Sequence, residues 1–340
     1  ASALAVEDDL AERLARLLDR GGPFAFELER LADRGIWLLT RADDAYPTRI
    51  KQRLGLKAPP VLFGSGAREL LSERAVAVVG SRDASEAALN TTRAIAEQLA
   101  REGVAVVSGG ARGVDRAGMD AATRSGGVVV GFVADSLMRL TQQPETRRLL
   151  VDDQLVMLTP FAPDARFTVG NAMSRNKLIY CGADAAVVVA TTQGSGGTWS
   201  GAIETLRSRW VPIWVWLDEA APGGNHSLAA AGARPLPEMN LDSGSLFETL
   251  TSFEATASAA FQDPSEPGLP DLESPEARSF LGTPRSEAEL RNKFDLQLGQ
   301  VRSWMKRCVD AGNVIRREAP VRYVIADVER EVRPSLFDDH

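Results

Sequence analysis

The stretch 75–115 contains one pattern twice, and this repetition restricts the fold more than any other feature of the sequence. An apolar run, Ala75 to Val79, is too short for a helix and ends in the loop Gly80-Ser81-Arg82. After a segment with helical spacing, a second apolar run, Val104 to Val107, ends in another loop of small residues, 108–113. Near-continuous apolar runs of this length are typical of buried parallel strands. The repeated unit therefore predicts an α/β fold with a doubly wound parallel sheet.

A third loop of the same kind follows the predicted strand Ala185 to Ala190. In addition, a predicted helix that starts at Asn171 carries polar residues in its first turns. Loops at the carboxyl ends of parallel strands converge on one crevice, where backbone N–H groups at helix starts favour an anion. We therefore predict one pocket that holds phosphates, with arginine and lysine supplying the charge. The residues predicted to form it are Gly80, Ser81, Arg82, Ser108, Gly109, Gly110, Arg112, Gly113, Asp115, Arg175, Asn176, Lys177, Ser195, Gly196, Gly197 and Thr198.

Each of these features also has an explanation that needs no ligand. Gly-rich loops follow strands in any doubly wound sheet, and an arginine in such a loop can simply face solvent. The polar triplet 175–177 can equally form an exposed face of its helix. Within the loops the one aromatic residue suited to stacking is Trp199, so the sequence assigns no contacts to bases.

The composition limits the kinds of protein that this chain can be. At 340 residues, with 44% hydrophobic and 25% charged residues, the chain is expected to form at least two domains. The net charge of −7 argues against a uniformly basic surface for nucleic acid, but it does not restrict the charge of a local pocket. No apolar run reaches the length of a membrane span, and the acidic start lacks the features of a secretory signal. A cytoplasmic protein without a membrane partner is expected.

Histidine and cysteine are nearly absent. The chain has two histidines, His226 and His340, so a histidine-dependent triad or a multi-histidine metal centre is not expected. The two cysteines, Cys181 and Cys308, fall inside predicted helices and are expected to be packing residues. We therefore expect no metal and no cofactor. The sequence shows no nucleophile paired with a base, which favours a binding protein over an enzyme.

Changes in composition divide the chain. The N-terminal region contains helical spacing followed by strand candidates, and the last of these, Ala58 to Gly64, is predicted as an edge strand because it begins with two prolines. A segment rich in Pro, Glu, Asp and Ser is predicted as a linker. The predicted parts are the helical N-terminal region with its strands (1–64), the sheet domain (65–250), the linker (251–277), the C-terminal domain (278–327) and a tail (328–340).

The C-terminal domain shows the order helix, turn, helix and short hairpin, which is the order of a winged helix. Between Arg278 and Ile325 there are ten Lys or Arg and five Asp or Glu, a basic excess in an acidic chain. Contact with duplex DNA is one interpretation, and a protein-interaction module with a solvated basic face is the other. The predicted duplex contacts lie on the second helix and the hairpin, at Arg302, Lys306, Arg307, Arg316, Arg317 and Arg322.

Six short motifs occur in a fixed order: Tyr46-Pro47, Pro59 to Gly64, Val79 to Arg82, Ser108 to Asp115, Arg175 to Ile179 and Ser195-Gly196. In this order and spacing, the chain resembles the DNA-processing protein A family, DprA or Smf, over most of its length. The resemblance implies an extended Rossmann-like domain that binds single-stranded DNA at the carboxyl edge of its sheet, with a small helical N-terminal region and a C-terminal winged helix. It also implies a homodimer that hands the strand to a RecA-type recombinase during DNA uptake and recombination in natural transformation.

The chain departs from that family at three places. It has Gly118-Met119 where the family usually has Ala-His, a lysine at 177 in place of the second arginine of Arg-Asn-Arg, and Ser195 to Thr198 in place of Ser-Gly-Ser-Leu. The run from Gly196 to Glu204 is also similar to the Gly-Gly-x-Gly-Thr-x-x-Glu loop of the lysine-decarboxylase-like phosphoribohydrolases. This second resemblance implies an alternative: a nucleotide-binding sensor, or a hydrolase of nucleoside monophosphates with Glu204 as acid/base.

Overall fold

The computed structural model describes residues 21–237, 244–252, 272, 274–294, 296, 298–310, 312–317 and 320–326. The chain forms two compact units, Ala1–Pro264 and Ser265–His340. The division between them falls inside the segment 251–277 that the sequence predicts as a linker.

A nine-stranded sheet forms the centre of the first unit. Its strands are β1 Trp37–Thr40, β2 Val61–Ser65, β3 Ala75–Gly80, β4 Ala105–Ser108, β5 Val129–Phe132, β6 Leu155–Thr159, β7 Ala185–Ala190, β8 Ile213–Val215 and β9 Arg234–Pro235. In space the order is β1-β2-β6-β5-β4-β3-β7-β8-β9. From β6 to β9 all neighbouring strands are parallel, whereas β1 and β2 are joined by antiparallel pairing. The predicted doubly wound parallel sheet is confirmed, with an antiparallel extension at one side.

Helices cover both faces of this sheet. They are α1 Gly21–Ala32, α2 Thr48–Leu54, α3 Glu86–Arg101, α4 Val114–Arg124, α5 Leu137–Leu140, α6 Pro144–Val151, α7 Val169–Cys181, α8 Gly196–Ser208, α9 Gly223–Ala230 and α10 Leu246–Thr251. Side chains of β3 alternate between the two faces, with Val76 and Val78 in the core under α3 and α4, and Ala77 and Val79 in the core under α7 and α8. Among the described residues, no helix has both the length and the apolar character of a membrane span.

The strand order changes direction between β3 and β7. Strands β4, β5 and β6 extend the sheet on one side of β3, and β7, β8 and β9 extend it on the other. In open α/β sheets such a switch point leaves a crevice at the carboxyl ends of the two strands, and ligands bind there. The first and third loops, which follow β3 and β7, therefore meet in this crevice.

The prediction that β2 is an edge strand is wrong. This strand lies between β1 and β6 and pairs antiparallel with both. Pro59 and Pro60 precede its first paired residue, Val61, so their missing N–H groups cost the ladder no hydrogen bond. The carbonyl oxygen of Pro60 even continues the pairing, because it accepts a hydrogen bond from Arg41 N at 3.2 Å.

Two helices begin earlier than predicted. Helix α7 begins at Val169 instead of Asn171, because Thr168 caps it by accepting a hydrogen bond from Asn171 N at 3.0 Å. The sequence also predicts a helix from Ser200 after a third loop that runs to Trp199, but helix α8 begins at Gly196, so the end of that loop is the first turn of the helix. Two consecutive glycines have low helix propensity, which is why the sequence does not reveal this start.

The described part of the second unit forms three helices and a two-stranded antiparallel sheet: α11 Pro275–Leu281, α12 Glu287–Phe294, α13 Leu298–Asp310, β10 Val314–Arg317 and β11 Arg322–Ile325. Helix α11 begins inside the segment predicted as a linker. Phe294 packs edge-to-face against both Phe280 and Trp304, with ring centroids 5.7 and 5.2 Å apart. Arg285 and Tyr323 exchange two backbone hydrogen bonds, which tie the start of α12 to the hairpin. This element order agrees with the winged-helix prediction, which itself stays a prediction.

Candidate nucleic-acid interface

Three loops meet at the switch point, and hydrogen bonds join them. Ser81 N in the first loop donates to the carbonyl oxygen of Ala190 at the end of β7, at 2.8 Å. Thr198 in the first turn of α8 donates through its hydroxyl to the Gly80 carbonyl at 3.1 Å. The Ser81 carbonyl accepts a hydrogen bond from Val114 N, at the start of α4, at 3.2 Å. The convergence of loops that the sequence predicts is therefore present.

The second loop reaches the first only because Gly113 has no side chain. Its φ of +82° lies in the left-handed region, and a Cβ atom there would overlap the carbonyl oxygens of Ser81 and Arg82. Gly109 is equally restricted, since a Cβ would stand 2.5 Å from Arg175 Nη1. Gly113 thus lets the second loop lie against the backbone of the first loop, and Gly109 lets it lie against the buried guanidinium of Arg175.

The first of two cavities at this edge, cavity A, lies at the switch point and has a volume of about 360 Å³. It is bounded by the first loop, the third loop with the start of α8, and one side of α7. Ten of the sixteen predicted residues contribute to its wall: Gly80, Ser81, Arg82, Asp115, Arg175, Asn176, Ser195, Gly196, Gly197 and Thr198.

The N-terminus of α8 gives cavity A its preference for an anion. The first N–H groups of a helix have no acceptor within the helix, and the aligned peptide dipoles place partial positive charge at this end. Ser195 occupies the N-cap position, but its side chain makes no capping hydrogen bond. The N–H groups of Gly196 and Gly197 therefore remain available to a ligand, and Gly197 lies against the Asn176 amide with no room for a Cβ atom.

The second cavity, cavity B, has a volume of about 450 Å³ and lies beside the second loop. Its wall contains the loop residues Gly109 to Arg112 and many apolar side chains from β5, β6, α4 and α6. Arg82 belongs to the walls of both cavities. The prediction of a single pocket is thus wrong in one respect: the three loops bound two neighbouring cavities, with Arg82 between them.

Phe167 is a site residue that the sequence analysis misses. It stands in the loop between β6 and α7, is 45% exposed, and lies in the wall of cavity B. The guanidinium of Arg82 lies over its ring, 5.5 Å from the centroid. Trp199, the aromatic residue that the sequence singles out, is instead buried in the core, with 3% of its surface exposed. The sequence signal that could have identified Phe167 is an aromatic residue in a loop that follows a strand.

Arg112 forms an ion pair with Asp83, with 2.6 Å between Nη2 and Oδ1. Both side chains are largely exposed, at 74% and 79%. Exposed ion pairs of this kind contribute little to stability, so Arg112 can exchange Asp83 for another anion at small cost.

The prediction that Arg175 supplies charge to a phosphate is wrong for this structure. The side chain is 4% exposed, and its Nη1 donates to the carbonyl oxygens of Gly109, at 2.7 Å, and Phe132. Asp115, also buried, accepts a hydrogen bond from Gly109 N at 3.2 Å. Both side chains therefore hold the second loop in place from beneath it.

Burial determines the protonation of this pair. It lowers the pKa of Arg175 to about 10, while the neighbouring Asp115 opposes that shift. Burial also raises the pKa of Asp115 to about 6, against the effects of Arg175 and of hydrogen bonds from backbone N–H groups. The guanidinium thus stays charged near neutral pH, and most Asp115 side chains are ionised.

Lys177 and Glu204 lie outside both cavities. Successive residues of a helix point about 100° apart, so the triplet at 175–177 cannot face one cavity together. Asn176 and the buried Arg175 belong to the wall of cavity A, while Lys177 is half-buried and belongs to neither wall. Glu204 is exposed on α8 and belongs to neither wall, so the structure does not place the acid/base residue of the hydrolase alternative at either cavity.

The basic residues predicted to contact duplex DNA lie on the second unit. Arg302 and Lys306 are exposed on α13, and Arg302 pairs with Glu287 at 3.0 Å. Exposed arginines of the hairpin are Arg316, Arg317 and Arg322. The side chain of Arg307 lies outside the described residues.

A Rossmann-like sheet with the N-terminus of a helix at its switch point is the arrangement that many proteins use to bind phosphate-containing ligands. Within this class of proteins, the sequence model of the family described as DNA recombination-mediator protein A matches residues 37–242, more than half of the chain. The chain therefore belongs to this family, as the motifs predict. The descriptions of the family and of its relatives name DNA recombination and DNA processing.

Individual relatives agree with this assignment. A putative DNA processing protein DprA of Mycobacterium tuberculosis is 33% identical over 246 residues, which cover 68% of this chain and 60% of the relative. The DNA processing protein DprA of Streptococcus pneumoniae is 31% identical over 160 residues, 46% of this chain and 54% of the relative. The chain thus spans somewhat more than half the length of the curated relatives that it matches.

Two solved structures share the fold. The X-ray structure of the Streptococcus pneumoniae protein has a TM-score of 0.55 at 23% identity and covers 66% of this chain and 78% of its own. DNA processing protein A of Helicobacter pylori, described for its single-stranded DNA binding mode, has a TM-score of 0.51 at 21% identity and covers 63% of this chain and 95% of its own.

Proposed function

We propose that this protein binds single-stranded DNA through its phosphates and that one phosphate occupies cavity A at the N-terminus of α8. The observation that supports this most is the convergence of donors on that cavity: free N–H groups of α8, the Ser81 hydroxyl and the Arg82 guanidinium. Phosphate contacts of this kind are independent of sequence and dominate affinity for nucleic acid. Family membership supports DNA as the source of the phosphate.

Phe167 extends the proposal from phosphates to bases. An exposed aromatic ring beside a basic groove is the usual platform on which proteins stack the bases of a single strand. Phe167 offers such a ring within reach of Arg82, at the boundary of the two cavities. We propose that bases next to the bound phosphate stack here.

The wider role follows the family resemblance. We propose that the chain acts in the cytoplasm as a homodimer and passes single strands to a RecA-type recombinase during DNA uptake and recombination. The second unit, with exposed basic residues on α13 and β10, is proposed to be a winged helix that adds affinity for duplex DNA.

A charge reversal at Arg82 tests the phosphate site. Arg82→Glu should weaken binding of a labelled oligothymidylate and lower the slope of log affinity against log salt by about one, because fewer counterions are released. Arg124→Glu is the matched control, since Arg124 is an exposed arginine on α4 that belongs to neither cavity. Fluorescence anisotropy at several salt concentrations measures both quantities.

The control separates a local contact from a change in net charge. If both variants lose affinity and slope equally, the effect comes from overall charge and the assignment of cavity A to a phosphate is refuted. Unchanged binding in Arg82→Glu would refute it as well.

A further inference from the structure

Thr191 carries a buried hydroxyl group that has no hydrogen-bond partner. It is the first residue after β7, belongs to the wall of cavity A, and is only 2% exposed. Among the described residues, Arg175 Nε is the other buried side-chain atom in this condition, and Arg175 belongs to the same wall. Leaving a buried polar atom unpaired costs its full desolvation free energy, so native proteins contain few of them. Because the guanidinium of Arg175 is already engaged beneath the second loop, the inference rests on Thr191 alone. Its unpaired hydroxyl in the wall of cavity A indicates that a ligand completes it.

Hydrogen bonds hold the backbone of Thr191 in place, so a small movement of the loop cannot bring its hydroxyl to another partner. Asn225 is fully buried and accepts a hydrogen bond from Thr191 N at 2.9 Å. The amide of Asn225 also donates to the carbonyl oxygens of Val189 and Trp216, both at 2.8 Å, which anchors it to the ends of β7 and β8. Gly224 lies so close to the Thr191 carbonyl that a Cβ atom there would overlap it.

The polar groups around the Thr191 hydroxyl indicate which charge a ligand bound beside it carries. Cavity A offers donors in the N–H groups at the start of α8, the Ser81 hydroxyl and the Arg82 guanidinium. Its wall also contains two carboxylates, but Asp83 is paired with Arg112 and Asp115 accepts a hydrogen bond from Gly109 N. A site of donors favours an anion, and an O–H group makes a short, strong hydrogen bond to an anionic oxygen. A neutral hydroxyl adds this bond without adding charge to the pocket.

We propose that Thr191 is a ligand-binding residue whose hydroxyl donates a hydrogen bond to a phosphate oxygen in cavity A. The inference rests on the proposed function, because it takes cavity A as the phosphate site, and it adds a residue outside the motifs that define the family resemblance. The phosphate can be a terminal phosphomonoester or an internal phosphodiester of a strand. Both present anionic oxygens of the same chemistry.

Two substitutions at Thr191 separate binding from folding. Thr191→Val keeps the shape and removes the hydroxyl, so the unfolding temperature should stay equal or rise, while affinity for oligothymidylate should fall roughly tenfold, as expected for a hydrogen bond to a charged group. Thr191→Ser keeps the hydroxyl and should retain the affinity. Thr92→Val is the matched control, because Thr92 is a buried threonine of α3 whose hydroxyl already bonds the Ala88 carbonyl at 2.7 Å, away from both cavities.

The probes are oligothymidylates with a 5′-phosphate and with a 5′-hydroxyl, titrated into the full chain. A loss in Thr191→Val confined to the phosphorylated strand assigns the contact to a terminal phosphate, and an equal loss with both strands assigns it to an internal one. If the unaltered protein binds neither strand, the proposed function fails. If it binds both and Thr191→Val binds equally well, or loses thermal stability without losing affinity, the role of Thr191 is refuted and the proposed function stands.

Discussion

At the scale of single residues, the site depends on two buried charges of opposite sign beneath the second loop. Arg175 bonds two carbonyl groups under the loop, and Asp115 bonds the Gly109 amide from the same side. Burying charges is costly unless they are compensated, and here each charge has hydrogen bonds and lies near the opposite charge. The pair therefore shapes the loop that faces the ligand instead of binding the ligand itself.

The pH dependence of stability should report Asp115. Its pKa is raised from 3.8 to about 6 in the folded state, so the folded state binds this proton more tightly than the unfolded state. Its contribution to the free energy of unfolding therefore falls as pH rises from about 4 to about 6 and is constant above that range. Relative to Asp115→Asn, the unaltered protein should lose on the order of 3 kcal/mol across this window in urea titrations. Parallel pH profiles for the two proteins would contradict the assignment.

At the scale of elements, the site is a contact between loops that small residues make possible. The backbone of Gly113 lies against the carbonyl groups of Ser81 and Arg82, so the second loop supports the first. The third loop joins them through the Thr198 hydroxyl. A change in one loop is therefore expected to displace the ligand groups of another.

A pair of glycine substitutions tests this contact. Gly113 and Gly103 both have positive φ, but a Cβ atom has open space at Gly103 and overlaps the first loop at Gly113. Gly103→Ala should cost about 1 kcal/mol of unfolding free energy from backbone strain alone, and Gly113→Ala at least about twice as much. Only Gly113→Ala should also weaken binding of single-stranded DNA. Equal costs in urea denaturation would show that the loops do not support each other.

The elements that the sequence reveals are those with an unambiguous local signal. Strands β3, β4 and β7 are buried parallel strands, and their continuous apolar runs predict them directly. The start of α8 escapes prediction because Gly196 and Gly197, whose N–H groups we propose to bind the phosphate, are poor helix formers. The burial of Arg175 and the separation into two cavities depend on how α7 packs on the sheet, and no local pattern records that packing.

At the scale of the whole molecule, the chain separates into two units with their own cores. The core of the second unit includes the packing of Phe280, Phe294 and Trp304 against one another. Domains that carry their own core can generally fold alone. The two proposed DNA contacts therefore reside in units that experiment can separate.

Truncation after Pro264 should leave a folded first unit. We expect it to bind short single strands nearly as well as the full chain, because cavity A lies within it. It should lose most affinity for duplex DNA and for strand–duplex junctions, since a tethered second site raises affinity through its local concentration. Electrophoretic mobility shifts with the three substrates measure this. If the truncated protein binds duplex DNA as the full chain does, the second unit is a module for protein partners.

The central claim is that a DNA phosphate binds at the N-terminus of α8. Amide resonances of Gly196, Gly197 and Thr198 report this contact directly in a ¹H–¹⁵N titration of the first unit with a short oligothymidylate. We expect the resonances of these amides to shift in a saturable way, and the dissociation constant from the shifts to equal that for binding of the same oligothymidylate. Arg82→Glu should make the shifts smaller. Saturable binding with shifts elsewhere and none at these three amides would contradict it.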